Sequence, residues 1–114
     1  MISNFHSAAN AYLRKFGYAL LEELSRARFG KDAPNIVAYD SVRDSLVFVS
    51  VEYCKGNPPP RPKRRDGEEY NKACSKWLLA NKWTHDIRHD TIIIYDDGAV
   101  DHIENTKIKE RKWK

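Results

Sequence analysis

The sequence predicts an α/β domain, a β-sheet flanked by two helices in the order α-β-β-β-α-β-β. Three observations carry this. Residues 46–53 alternate: Val47, Val49, Val51 and Tyr53 share one face of a period-two strand, and Leu46, Phe48, Ser50 and Glu52 share the other. Both faces are apolar at the start, the mark of a strand covered on both sides. Tyr70, Ala73, Cys74, Trp77 and Leu78 recur at the spacing of an amphipathic helix. Finally, the apolar run Thr91–Tyr95 leads into Asp96-Asp97-Gly98, turn chemistry that folds a hairpin back through Ala99–Ile103.

Taken in order, Ala8, Ala9, Tyr12, Leu13 and Phe16 stripe a first helix, with Ser7 or Asn4 as its cap and Gly17 as its stop. A strand is expected near Leu20–Arg28. Residues 29–34 read as a turn, because Pro34 has no N–H to donate inside a ladder. Asn35–Tyr39 then forms a short strand, joined through residues 40–45 to the antiparallel strand 46–53. Residues 56–62, with four prolines, are expected to be extended surface chain. The second helix starts at or near Asp66 and ends about Asn81. One domain, 1–105, is expected, with a basic tail over 106–114.

A chain of 114 residues suits one domain of moderate core. With 41% hydrophobic and 32% charged residues it reads as globular rather than disordered. No apolar run approaches the roughly 20 residues that span a bilayer, and residues 1–21 lack a leader pattern, so a cytoplasmic location is expected. Cys54 and Cys74 make neither a disulfide framework nor a zinc-type pair and are expected to be reduced and partly buried. The net charge of +4 is unevenly placed. Residues 55–66 and 106–114 each hold five basic side chains against one acid, on an otherwise mildly acidic body. That pattern suits an anionic partner such as DNA or RNA.

Several fragments together resemble the YraN-like family of bacterial proteins. Ala9-Asn10-Ala11-Tyr12-Leu13 followed by Gly17-Tyr18 is similar to the family's A-x-x-Y-L and G-Y; Asn35-Ile36-Val37-Ala38 falls where it has D-L-I-A. Residues 46–52 fall where it has L-V-F-V-E-V-K, Arg88-His89-Asp90 resembles R-F-D, and His102-Ile103-Glu104-Asn105 resembles H-I-E-N. The resemblance implies the restriction-endonuclease-like fold, with a mixed sheet, and the PD-(D/E)XK nuclease site.

In that chemistry, carboxylates hold a hard divalent cation that polarises the phosphodiester, and a lysine steadies developing charge. The resemblance places the first carboxylate at Asn35, the second at Ser50 and the lysine at Glu52, with a helix-one glutamate near His6. All three core positions are altered: an amide, a neutral hydroxyl and an inverted charge. Magnesium or manganese would be needed only if nuclease activity is retained. A rebuilt site would need Glu52 as ligand, joined by His6, Asp40 or Glu69, with Lys55 or Lys63 as the cation. The plainer expectation is that Glu52 pairs with Lys55 or Arg28 while Asn35 and Ser50 hydrogen-bond locally.

His85 and His89 sit four apart but between helix and strand, without a cysteine at useful spacing, so a surface loop is expected. Trp77 is expected in the core and Trp83 at its boundary, while Trp113 sits in the lysine-rich end, where base stacking and disorder are both open. The expected function is a nuclease-fold module without the inherited catalysis, in which Arg61, Lys63, Arg64 and Arg65 touch phosphates beside the old cleft. Two alternatives stand beside it: a metal-dependent endonuclease with a relocated site, and a structural or protein-interaction domain.

Overall fold

A computed structural model describes residues 4–54, 67–84 and 86–104, with the side chains of 4–6 outside that description. The basic loop with Lys55, Arg61, Lys63, Arg64 and Arg65, the proline segment, His6, His85 and the tail with Trp113 therefore lie outside the described residues.

Eight elements follow in sequence: α1 (Asn4–Lys15), β1 (Tyr18–Glu23), α2 (Arg26–Phe29), β2 (Ile36–Asp40), β3 (Ser45–Cys54), α3 (Glu68–Asn81), β4 (Ile87–Tyr95) and β5 (Val100–Ile103). The five strands form one sheet in the order β1-β2-β3-β4-β5. β3 and β4 are parallel, and every other pair is antiparallel, so the sheet is mixed. The connection carrying α3 makes that parallel pairing possible, since a hairpin cannot.

The period-two reading of β3 holds on both faces. Val47, Val49 and Val51 pack with Ala9 and Leu13 of α1 and with Ile92 and Ile94 of β4. Leu46 and Phe48 pack with Tyr70, Ala73, Cys74 and Trp77 of α3. One helix thus covers each face of a sheet whose central strand is apolar on both sides. Gly17 ends α1 at φ 89°, a left-handed value that a side chain would strain. Ser7 is inside the helix, since α1 already begins at Asn4.

Two expectations about the strands are corrected. The strand expected over 20–28 runs Tyr18–Glu23 and gives way to one helical turn, because Ser25 Oγ accepts the N–H of Arg28 at 3.2 Å. A bulge between Leu20 and Glu22 turns the strand over. Leu20 packs on the α1 side, whereas Glu22 reaches the α3 side and accepts the Trp77 indole N–H at 2.9 Å. The strand expected from Thr91 starts earlier, at Ile87, so Arg88, His89 and Asp90 are ladder residues opposite Val47, Phe48 and Val49. His89 is therefore no loop residue, and its ring stacks on Phe48 at 5.6 Å.

Both cysteines are buried and neither is part of a disulfide among the described residues. Trp77 is core, and Trp83 is a boundary residue whose ring meets Tyr39 edge-on at 6.1 Å. Among the described residues no helix is long and apolar enough to cross a membrane.

Candidate functional site

Asn35, Ser50 and Glu52 lie where β2 begins and where, among the described strands, β3 runs on past it. The β2–β3 ladder closes at Ile36 opposite Val49, while β3 runs on to Cys54 against β4. Val51 therefore presents an N–H beyond the end of its partner strand. Asn35 fills the gap: its Oδ1 accepts the Val51 N–H at 2.7 Å, and its own N–H donates to the Val49 carbonyl at 2.8 Å. The side chain acts as one more backbone acceptor, which a buried amide requires.

Ser50 faces the α3 side and is 1% exposed, with an Oγ that has no hydrogen-bond partner among the described residues. The expectation of a local hydrogen bond holds for Asn35 and fails for Ser50. Glu52 is half-buried one step further along the same face. Arg28, a cation expected to face Glu52, makes its ion pair with Glu22 at 3.9 Å.

These three side chains do not make a cage for a hard cation. Magnesium needs near-octahedral oxygen coordination with carboxylates in it. Here one amide oxygen is committed to the backbone, one hydroxyl is sealed in the core, and one carboxylate remains. Of the relocated ligands, Asp40 lies on the opposite face of the sheet, and Glu69 pairs with Lys72 at 3.7 Å on exposed helix surface. Among the described residues no group of three or more His, Cys, Asp or Glu side chains is placed to hold a metal.

A second polar cluster was not expected from the sequence. It lies on the α1 face, at the C-terminal end of β2 and the first half of β4. Arg88 Nε donates to both oxygens of Asp90 at 2.9 and 3.1 Å, and Nη2 reaches Asp90 Oδ2 at 2.8 Å. Arg88 Nη1 donates to Asp40 at 2.9 Å and Nη2 to the Tyr18 hydroxyl at 2.6 Å. His102 Nε2 stands 2.7 Å from Asp90, and its Nδ1 lies 3.3 Å from the Tyr12 hydroxyl. The carboxylate can only accept, so Nε2 carries a proton.

The electrostatics follow from burial. The side chains of Arg88, Asp40 and Asp90 are 7%, 9% and 0% exposed. Burial opposes the Arg88 charge, but hydrogen bonds and attraction from Asp90 and Asp40 prevail and raise its pKa above an already high value. Burial likewise works to raise the Asp40 pKa. Hydrogen bonds from Arg88 and from the N–H groups of Arg43 and Val42 outweigh it and hold the carboxyl below its usual value. The Tyr12 and Tyr18 hydroxyls are pushed up, first by burial.

Above this cluster is an open cleft of about 270 Å³, walled by Tyr12, Phe16, Tyr18, Arg43, His102 and Glu104. Arg43 and Glu104 are ion-paired across its mouth. The sequence signal for the cluster was available: Arg88 and Asp90 share a strand face with Ile92 and Ile94, and two opposite charges on an apolar face must pair to be buried.

No family model matches the chain, and no curated protein sequence matches it. Among solved structures, it is similar to Hjc, a Holliday junction resolvase from the archaeal hyperthermophile Archaeoglobus fulgidus. The TM-score is 0.56 at 13% identity, covering 90% of this chain and 74% of that one. Likeness at that identity shows the fold, which is restriction-endonuclease-like.

Proposed function

We propose that the chain is a YraN-like protein of the bacterial cytoplasm, a nuclease-fold module that binds nucleic acid without cutting it. The observation that carries the loss of catalysis is the 2.7 Å bond from the Val51 N–H to Asn35 Oδ1. It turns the position of the first metal-binding carboxylate into a piece of sheet edge. The sealed Ser50 beside it supports the same reading.

Binding is supported by the charge distribution, with five basic residues against one acid over residues 55–66, and by the resolvase that shares the fold. Arg61, Lys63, Arg64 and Arg65 are proposed as phosphate contacts, which position a nucleic acid without reading its sequence. Fold likeness alone does not carry an activity across, so the test is direct.

The protein is incubated with single-stranded, duplex and branched DNA and RNA, with magnesium or manganese, and both binding and cleavage are scored. Salt-sensitive binding without cleavage is the expected result. Metal-dependent cleavage abolished by Glu52→Gln would overturn the loss of catalysis and establish a relocated nuclease site. Absence of binding to every substrate would leave the protein-interaction domain as the better reading.

A further inference from the structure

The cleft on the α1 face is on the other side of the sheet from Ser50. Its floor is the Arg88 cluster, in which each charge has a partner. Around it, Arg43 and Arg88 stand among Asp40, Asp90 and Glu104, with Asp101 close enough to act on the Tyr12 hydroxyl and Lys15 at the lip. Both arginines are engaged by these carboxylates, so the cleft floor does not favour a phosphate. It suits a neutral ligand that offers both donors and acceptors to the Tyr12 and Tyr18 hydroxyls and the Arg43–Glu104 pair.

The walls are aromatic. The Tyr12 and Phe16 rings lie 4.8 Å apart, and Tyr12 and Tyr18 stand at 5.5 and 5.8 Å from the His102 ring. Phe16 closes one side yet is 59% exposed, and Val42, facing the same cleft, is 88% exposed. Its ring meets Tyr12 on one side and otherwise stays largely in water at the lip of the cleft, where it offers further stacking surface. Lys15 lies over that ring, with Nζ 5.9 Å from the centroid, so a cation stands beside the stacking face.

The volume, about 270 Å³, falls just below the roughly 300–1,000 Å³ of pockets for drug-sized ligands. It suits one planar ring system rather than a whole nucleotide. We propose that this cleft receives a single unpaired nucleobase of a nucleic-acid strand, stacked on Phe16 and hydrogen-bonded at its edge by Tyr12, Tyr18 and the Arg43–Glu104 pair. Lys15 meets the adjoining phosphate. Aromatic stacking with a flanking cation is how sequence-tolerant single-strand binders hold bases. The inference rests on the nucleic-acid reading above, and deepens it to strands with unpaired bases.

The test uses short single strands, DNA and RNA, each carrying one 2-aminopurine, with wild type and Phe16→Ala. The exposed position of Phe16 lets the variant fold, which circular dichroism checks. Stacking should quench the probe, and Phe16→Ala should weaken binding about five- to a hundredfold. If wild type binds the strands but the probe stays bright, or Phe16→Ala binds equally well, the cleft proposal falls and the nucleic-acid reading stands. If wild type binds no single strand but does bind duplex or branched nucleic acid, the cleft proposal falls and the nucleic-acid reading stands; if it binds none of them, that reading falls, and a titration with adenosine followed by NMR decides the cleft by itself. Shifts confined to the Tyr12, Phe16, Tyr18 and His102 rings would support a base site, and their absence would overturn it.

Discussion

Arg88 and Asp90, two residues apart on one strand, hold each other by three hydrogen bonds of 2.8–3.1 Å inside the core. Residues i and i+2 of a strand face the same way, so a charge and its counter-charge are delivered to one buried patch by a single element. Asp40, Tyr18 and His102 complete the arrangement from β2, β1 and β5. The cluster thereby ties four of the five strands together, skipping only β3.

Removing the cation should therefore be severe. Arg88→Met leaves two carboxylates buried without their partner, and should cost about 3–5 kcal/mol in urea unfolding. Adding Asp40→Asn and Asp90→Asn to it should recover part of that stability, since no uncompensated charge then remains. A cost below about 1 kcal/mol for the single variant would show that the cluster is not buried as described.

Asp40 sets an acid limit to stability. Its folded pKa lies below the ordinary 3.8, so its contribution is fully present above that value and is lost as pH falls through the lower folded value. Unfolding midpoints of wild type should drop on acidification below about pH 4. Asp40→Asn, which keeps an oxygen for the Val42 and Arg43 N–H groups, should start lower and show a shallower acid decline.

Ser50 and Asn35 carry opposite predictions. Ser50→Ala removes a buried hydroxyl that has no partner among the described residues and should stabilise the fold by about 1 kcal/mol. Ser50→Glu should destabilise it by several kcal/mol, because the carboxylate enters a sealed site. Asn35→Asp should be nearly neutral, since a carboxylate oxygen can still accept the Val51 N–H. Asn35→Ala should cost about 1–3 kcal/mol by leaving that N–H unpaired. Thermal and urea unfolding of the four variants check the pattern.

Nucleic-acid binding should carry a measurable salt signature. Reversing the charges at Arg61, Lys63, Arg64 and Arg65 should reduce the slope of log K against log salt by about 0.7–0.9 for each phosphate no longer neutralised. Fluorescence anisotropy across a salt series reads the slope directly. An unchanged slope would remove those residues from the interface.

Much of the architecture was legible because it rests on periodicity. The alternation of residues 46–53 and the stripe Tyr70, Ala73, Cys74, Trp77 place a doubly covered strand beside a helix, and both lie where expected. The segments misread were those where polar residues do structural work. Ile87–Asp90 looked like a connection because it carries charges, yet those charges cancel across the strand face. Residues 24–28 looked extended, yet the Ser25 cap turns them into a helical end.

By itself, the sequence determined the two helical faces and the central strand, since each depends on residue type and local spacing. Only the tertiary structure decided that Asn35 completes a sheet edge and that Ser50 is sealed. It also brought Tyr12, Tyr18, Asp40, Arg88, Asp90 and His102 into one cluster. The reason is physical. The partners of a buried polar group come from different strands of one sheet, as much as 70 residues apart in the chain, and local spacing does not encode such pairings.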